Sequence, residues 1–138
     1  TADEDFLLKF QKLCKYIDSH PKVLEEKLDI ATTYMSLSAF EKDQKRTREA
    51  IEALQKFHAE KLKTTPLCIP FFELSSAKQV DFKKLDKEVS DCAKDPRKRA
   101  VIVDYLMVLK REKGEEAARE KYHELNSVYP DLPSFEEI

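Results

Sequence analysis

Only one glycine, Gly114, occurs in the 138-residue sequence. Phosphate loops, nucleotide-binding turns, tight hairpins and many-stranded barrels need several backbone positions at positive φ, where a Cβ is strained. A chain with one such residue is pushed toward helices, whose residues all lie at negative φ. Apolar residues make up 41% and charged residues 38%, enough for a core under a charged surface. The length suits one domain. Twenty-five basic and 27 acidic side chains leave a formal charge of -2, so no bulk field draws the chain to nucleic acid or anionic lipid.

The cysteines Cys14, Cys68 and Cys92 are widely spaced and odd in number. That pattern fits free thiols in a reducing compartment, the cytoplasm or nucleus. No Cys/His spacing points to zinc, and no metal or cofactor is expected. The longest apolar run, residues 100–109, is interrupted by Asp104 and is far too short for a membrane span. The opening residues carry no signal-peptide pattern.

Helical spacing runs through most of the chain. Phe6, Leu7, Phe10, Leu13, Cys14 and Ile17 share one face of a helix over 5–18, which Ser19-His20-Pro21 ends. A second helix is expected over 22–41. Residues 41–49 (EKDQKRTRE) then have no apolar side chain, so a turn near 42–44 with Asp43 as N-cap separates it from a third helix over 45–63. The stretch 64–76, with Pro66 and Pro70, is expected to be non-helical. Its Leu67, Ile69, Phe71 and Phe72 make it a connection pinned to the core, an exposed docking patch or a lone strand. A modest helix over 81–95 follows. Asp95-Pro96 then pairs an N-cap with a proline suited to a first turn, and opens a buried helix that Gly114 stops. A last helix spans 115–128, and Leu132, Phe135 and Ile138 of the tail pack back or reach a neighbour. The fold class is therefore all-α: about six helices as stacked antiparallel hairpins, a helical bundle or short solenoid. The expected organisation is a three-helix unit (1–64), a Pro-containing connection (65–80) and C-terminal helices (81–138).

Ile102, Tyr105, Leu106 and Leu109 align across the turn with Ala118, Tyr122, Leu125 and Pro130. This register resembles a tetratricopeptide repeat, whose paired helices carry large and small apolar residues at such intervals before a closing proline. The Ala118-Arg119-x-x-Tyr122 run is similar to half-a-TPR repeats of RNA-processing scaffolds. The likeness covers about 34 residues. It departs from the pattern at bulky Leu106 and at Gly114, which sits one place late. It implies a hairpin whose groove positions are Val103, Asp104, Met107, Lys110 and Arg111. Val103, Asp104 and Met107 replace the polar residues of a carboxylate clamp, so the groove suits a partner helix, or another helix of the same chain.

No catalytic constellation is visible. His20, His58 and His123 are scattered, and Ser75-Ser76 with Lys78 lacks a glycine elbow. Asp104 is an acid within an apolar helix; it either sits at an edge, pairs with a base, or serves binding. Arg97, Lys98 and Arg99 place cations where the helix dipole favours acids. They either pair with Asp91, Asp95 or the acidic tail, or meet an acidic partner or phosphate. The combined expectation is a non-catalytic protein–protein interaction or scaffold domain of a larger intracellular complex. Its contact residues would be Arg97, Lys98, Arg99, Val103, Asp104, Met107, Lys110 and Arg111, meeting a helix or an acidic segment. The alternative is a nucleic-acid-associated helical domain using its basic clusters. No membrane partner is expected. Exchanging Arg97, Lys98 and Arg99 for Glu is expected to preserve stability and weaken binding.

Overall fold

In the computed structural model, which describes residues 2–60 and 68–138, periodicity becomes packing as an all-α fold. The helices are α1 (Ala2–Ser19), α2 (Val23–Glu26), α3 (Leu28–Phe40), α4 (Gln44–Glu60), α5 (Ile69–Ser75), α6 (Phe82–Ala93), α7 (Ala100–Lys113) and α8 (Glu115–Val128). Short 3-10 turns occupy Pro96–Lys98 and Phe135–Glu137, and no strand occurs among the described residues. The chain divides into two compact units, Thr1–Leu85 and Asp86–Ile138. Thr64, Pro66, Leu67 and the side chain of His58 lie outside the described residues.

In the first unit, α3 is the hub on which α1, α2, α4 and α5 all pack. Small residues allow the close α3–α4 approach: Ala31, Ser38 and Ala39 meet a face of α4 that buries Thr47, Ala50 and Ala53. The buried hydroxyls satisfy one another, Thr47 Oγ1 donating to Ser38 Oγ at 3.1 Å and Ser38 Oγ to the Tyr34 carbonyl at 2.6 Å. The turn between α3 and α4 falls where expected. Asp43 Oδ1 accepts from the Arg46 amide at 3.1 Å, and the Asp43 amide closes back on the Ser38 carbonyl at 2.9 Å. That second bond is the long one of a Schellman motif, and it puts Lys42 at φ 60, where glycine is usual.

Two expectations are corrected here. The single helix over 22–41 is broken at Lys27, which is extended (φ -127, ψ 106). The break leaves no backbone group idle, because the Lys27 amide bonds to the Val23 carbonyl and the Lys27 carbonyl receives the Ala31 amide. It lets α2 bury Val23 and Leu24 while α3 buries Tyr34 and Met35. The stretch 64–76 is not free of helix either. Pro70 sits in the first turn of α5, where its missing N–H costs nothing, and Phe71 and Phe72 are both buried.

In the second unit, α7 and α8 form a hairpin joined by Gly114 alone. Gly114 adopts φ 96; its amide bonds to the Lys110 carbonyl and its carbonyl receives the Ala118 amide. Ala118 is fully buried, and Ile102 and Leu106 of α7 are buried likewise. The Asp95 cap forms, its carboxylate accepting from the Arg97 amide at 3.0 Å. It opens a 3-10 turn rather than the α-helix itself, and α7 begins only at Ala100.

The free-thiol expectation holds for one cysteine of three. Cys14 is free and buried, and burial pushes its thiol above the ordinary range; Cys68 and Cys92 are disulfide-bonded. Among the described residues no helix is long and apolar enough to cross a membrane.

Candidate functional site

The α7 helix buries Val101, Ile102, Tyr105, Leu106, Val108 and Leu109. On the opposite face Val103, Asp104, Met107 and Arg111 are half-buried. Asp104 has no hydrogen bond or ion pair to any described residue, and desolvation alone pushes its carboxyl up to about 7. A carboxylate with apolar neighbours and no base is costly to charge, so it keeps its proton to higher pH than a free carboxyl. The ion-paired reading of Asp104 is not met; the side chain is half-buried, and its carboxylate oxygens are not among the buried atoms lacking a partner, as at an edge position.

The basic residues expected beside it are mostly occupied. Arg97 pairs with Asp95 at 3.1 Å, which holds that carboxyl below its usual range. Arg99 reaches the Ala93 carbonyl and lies over the Tyr129 ring, 5.0 Å from its centroid. Lys110 is exposed with its ammonium 5.9 Å from the Phe135 ring centroid, and Arg111 bonds Glu112 at 3.0 Å. Lys98 is half-buried, with no pair among the described residues. Arg97 and Lys98 lie in the 3-10 turn before α7 and Arg99 is its N-cap, so these cations still stand at the positive end of the helix.

A second arrangement has no counterpart among the expected contacts. The segment after α8 folds back, and Tyr122 Oη donates to the Pro133 carbonyl at 2.7 Å. Phe135 is buried with Tyr122 5.6 Å away and the Arg119 guanidinium 4.5 Å from its ring centroid. The spacing of Leu132, Phe135 and Ile138 signalled return packing; nothing in it signalled which cations would face the ring.

The remaining polar groups serve the fold. Ser75 and Ser76 donate to the Phe72 and Glu73 carbonyls one turn back. His20 stacks on Tyr16 at 4.6 Å and His123 lies beside Tyr122 at 5.8 Å. Among the described residues no group of three or more His, Cys, Asp or Glu is placed to hold a metal ion. Comparison with known proteins finds no matching family model, no matching curated protein and no matching solved structure.

Proposed function

We propose that the chain is a protein–protein interaction module of a larger assembly, with a face of α7 as its contact surface. One observation carries this: Asp104 stands half-buried, with no partner among the described residues, between the half-buried apolar side chains of Val103 and Met107. A partner helix with apolar side chains and one donor opposite Asp104 would cover the strip and take the place of solvent on the carboxylate. The tetratricopeptide-like register of α7 and α8 supports the same reading, since such hairpins present one helix face to a partner.

The test is a photo-crosslinking residue in place of Met107, compared with the same chain carrying Val103→Glu. Crosslinks that collapse with Val103→Glu, in a chain that keeps its melting temperature, support the surface. Crosslinks unchanged by that substitution refute it. The nucleic-acid alternative receives less support, because Arg97, Arg99, Lys110 and Arg111 are all engaged within the chain. Steeply salt-dependent RNA binding would revive it.

The thiol argument for cytoplasm or nucleus loses its basis once Cys68 and Cys92 are disulfide-bonded. That state supports an oxidising compartment. Alkylation of the unfolded, unreduced native protein at Cys14 alone would bear this out; alkylation at all of Cys14, Cys68 and Cys92 would restore the reducing one.

A further inference from the structure

We propose that the outward face of α1 pairs antiparallel with the same face of a second copy of this chain, forming a symmetric dimer. The inference does not depend on the α7 face, since it rests on other residues. Among the described residues four large apolar side chains are exposed, and three of them, Leu7, Leu8 and Tyr16, stand on α1. That helix already buries Phe10, Cys14 and Ile17 within the first unit, where it packs on α3. Leu8 lies on the side away from those three and is 50% exposed, so folding leaves it uncovered.

Helical spacing sets Leu8, Lys12 and Lys15 in one stripe at i, i+4 and i+7, with Asp5 one turn before Leu8. Asp5, Lys12 and Lys15 are exposed and have no hydrogen bond or ion pair to any described residue. Lys9, one turn after Asp5, holds its ammonium 5.9 Å from the Phe6 ring centroid instead. The helix dipole does not explain these lysines, because the last turn of α1 holds no base. The stripe is thus acidic before Leu8 and basic after it, an order that complements itself only in reverse. With a two-fold axis level with residue 10, Asp5 of each copy stands opposite Lys15 of the other. The two Leu8 side chains then lie about 6 Å apart along the helices, in reach of each other and of the Lys12 stems. A parallel pair would set acid on acid, and a partner of one charge would satisfy only half of the stripe. This self-complementarity selects a second copy as the occupant and makes the interface isologous.

One helix pair is a small interface, so association is weak, with a dissociation constant on the order of 100 μM. The test is sedimentation equilibrium of the full chain in low salt, from about 10 to about 500 μM. A monomer–dimer equilibrium is expected, and Leu8→Glu and Lys15→Glu should each weaken it at least about tenfold at unchanged melting temperature. Asp5→Lys and Lys15→Glu combined in one chain should restore association, because both members of each contact are then reversed. If Leu8→Glu lowers the melting temperature, Lys15→Glu and the combined exchange, which alter only exposed charges, decide. A chain that stays monomeric overturns the proposal, as does a dimer indifferent to Lys15→Glu or a combined exchange that fails to associate. A dimer lost with Val103→Glu but kept with Leu8→Glu would belong to the α7 face and overturn this inference alone.

Discussion

In Thr1–Leu85 a single guanidinium gathers polar groups from three places. Arg46 of α4 makes paired bonds to Asp18 of α1 at 3.0 and 3.1 Å, donates to the Tyr34 hydroxyl of α3 at 2.8 Å, and stands 3.8 Å from Asp43 in the turn. These bonds hold the Asp18 carboxyl below and the Arg46 guanidinium above their ordinary ranges. In Asp86–Ile138 the cations Arg99, Lys110 and Arg119 lie over ring faces, and the half-buried acid Asp104 is left without a base. The first arrangement joins helices by directional hydrogen bonds, which fix angle and register. The second shields aromatic rings while leaving polar capacity unspent. The first unit ties its half-buried guanidinium to partners on two helices and a turn; the second leaves its half-buried carboxylate without one among the described residues.

The contrast can be tested by substitution, beginning with the largest effect. Phe71 is fully buried in the first unit, and Phe71→Ala should cost about 3–5 kcal/mol in denaturant unfolding. Phe135→Ala, at a buried ring held by the chain's last residues, should cost less; an equal loss would make the returning tail as much a part of the core as α5. Arg46→Ala comes next, at about 2–3 kcal/mol, because it strips a charged donor from the buried Tyr34 hydroxyl, itself pushed up to about 12 by burial. Arg46→Lys should restore little, since an ammonium cannot span both Asp18 oxygens and Tyr34.

Asp104 gives a pH signature of the opposite sign to an ion-paired acid. Its folded-state value of about 7 lies above the ordinary 3.8, so the folded chain holds the proton more tightly than the unfolded one. Stability from this group is therefore highest below about pH 4 and declines as the pH rises toward 7. Asp104→Asn should flatten that decline and stabilise the chain at pH 8 by on the order of 2 kcal/mol, with little effect at pH 4. Melting curves that keep the wild-type pH slope would show that the decline belongs to other groups and that Asp104 titrates as a solvated carboxyl.

The smallest effect belongs to exchanging Arg97, Lys98 and Arg99 together for Glu. Arg99 alone loses its place over Tyr129, worth about 0.5–1 kcal/mol, and Asp95 gains like charges beside it. These contacts argue for a small loss of stability where the sequence alone led to an expectation of none. An unchanged melting temperature would return these cations to the role of a free surface.

Local chemistry was legible where one residue decides the outcome. Asp43 and Asp95 cap, Gly114 stops a helix, and Phe10, Ile17, Met35, Leu54, Ile102 and Tyr122 are buried as their spacing implies. The break at Lys27 was not legible, because it needs no proline or glycine and keeps its hydrogen bonds. Nor was α5, where the first-turn proline that starts it reads equally well as a breaker. At the candidate site, sequence separated Asp104 from its apolar surroundings but could not assign partners to the cations. Arg99 with Tyr129 and Arg119 with Phe135 are set by how the chain returns after Pro130, a tertiary fact with no periodicity of its own.

Gly114 has a consequence for how this chain can vary in length. It ends α7 and begins α8 at once, with no spare residue on either side. One inserted residue there would alter the path of the joint and so the register of α8 against α7. Ala118 and Tyr122 would swing away from α7 and polar neighbours would take their places. The joint therefore acts as a gauge: substitutions spread along either helix are tolerable, but its count of one is not. By contrast, 41–43 between α3 and α4 carry their φ 60 on a lysine, a position where glycine could relieve strain without altering any length.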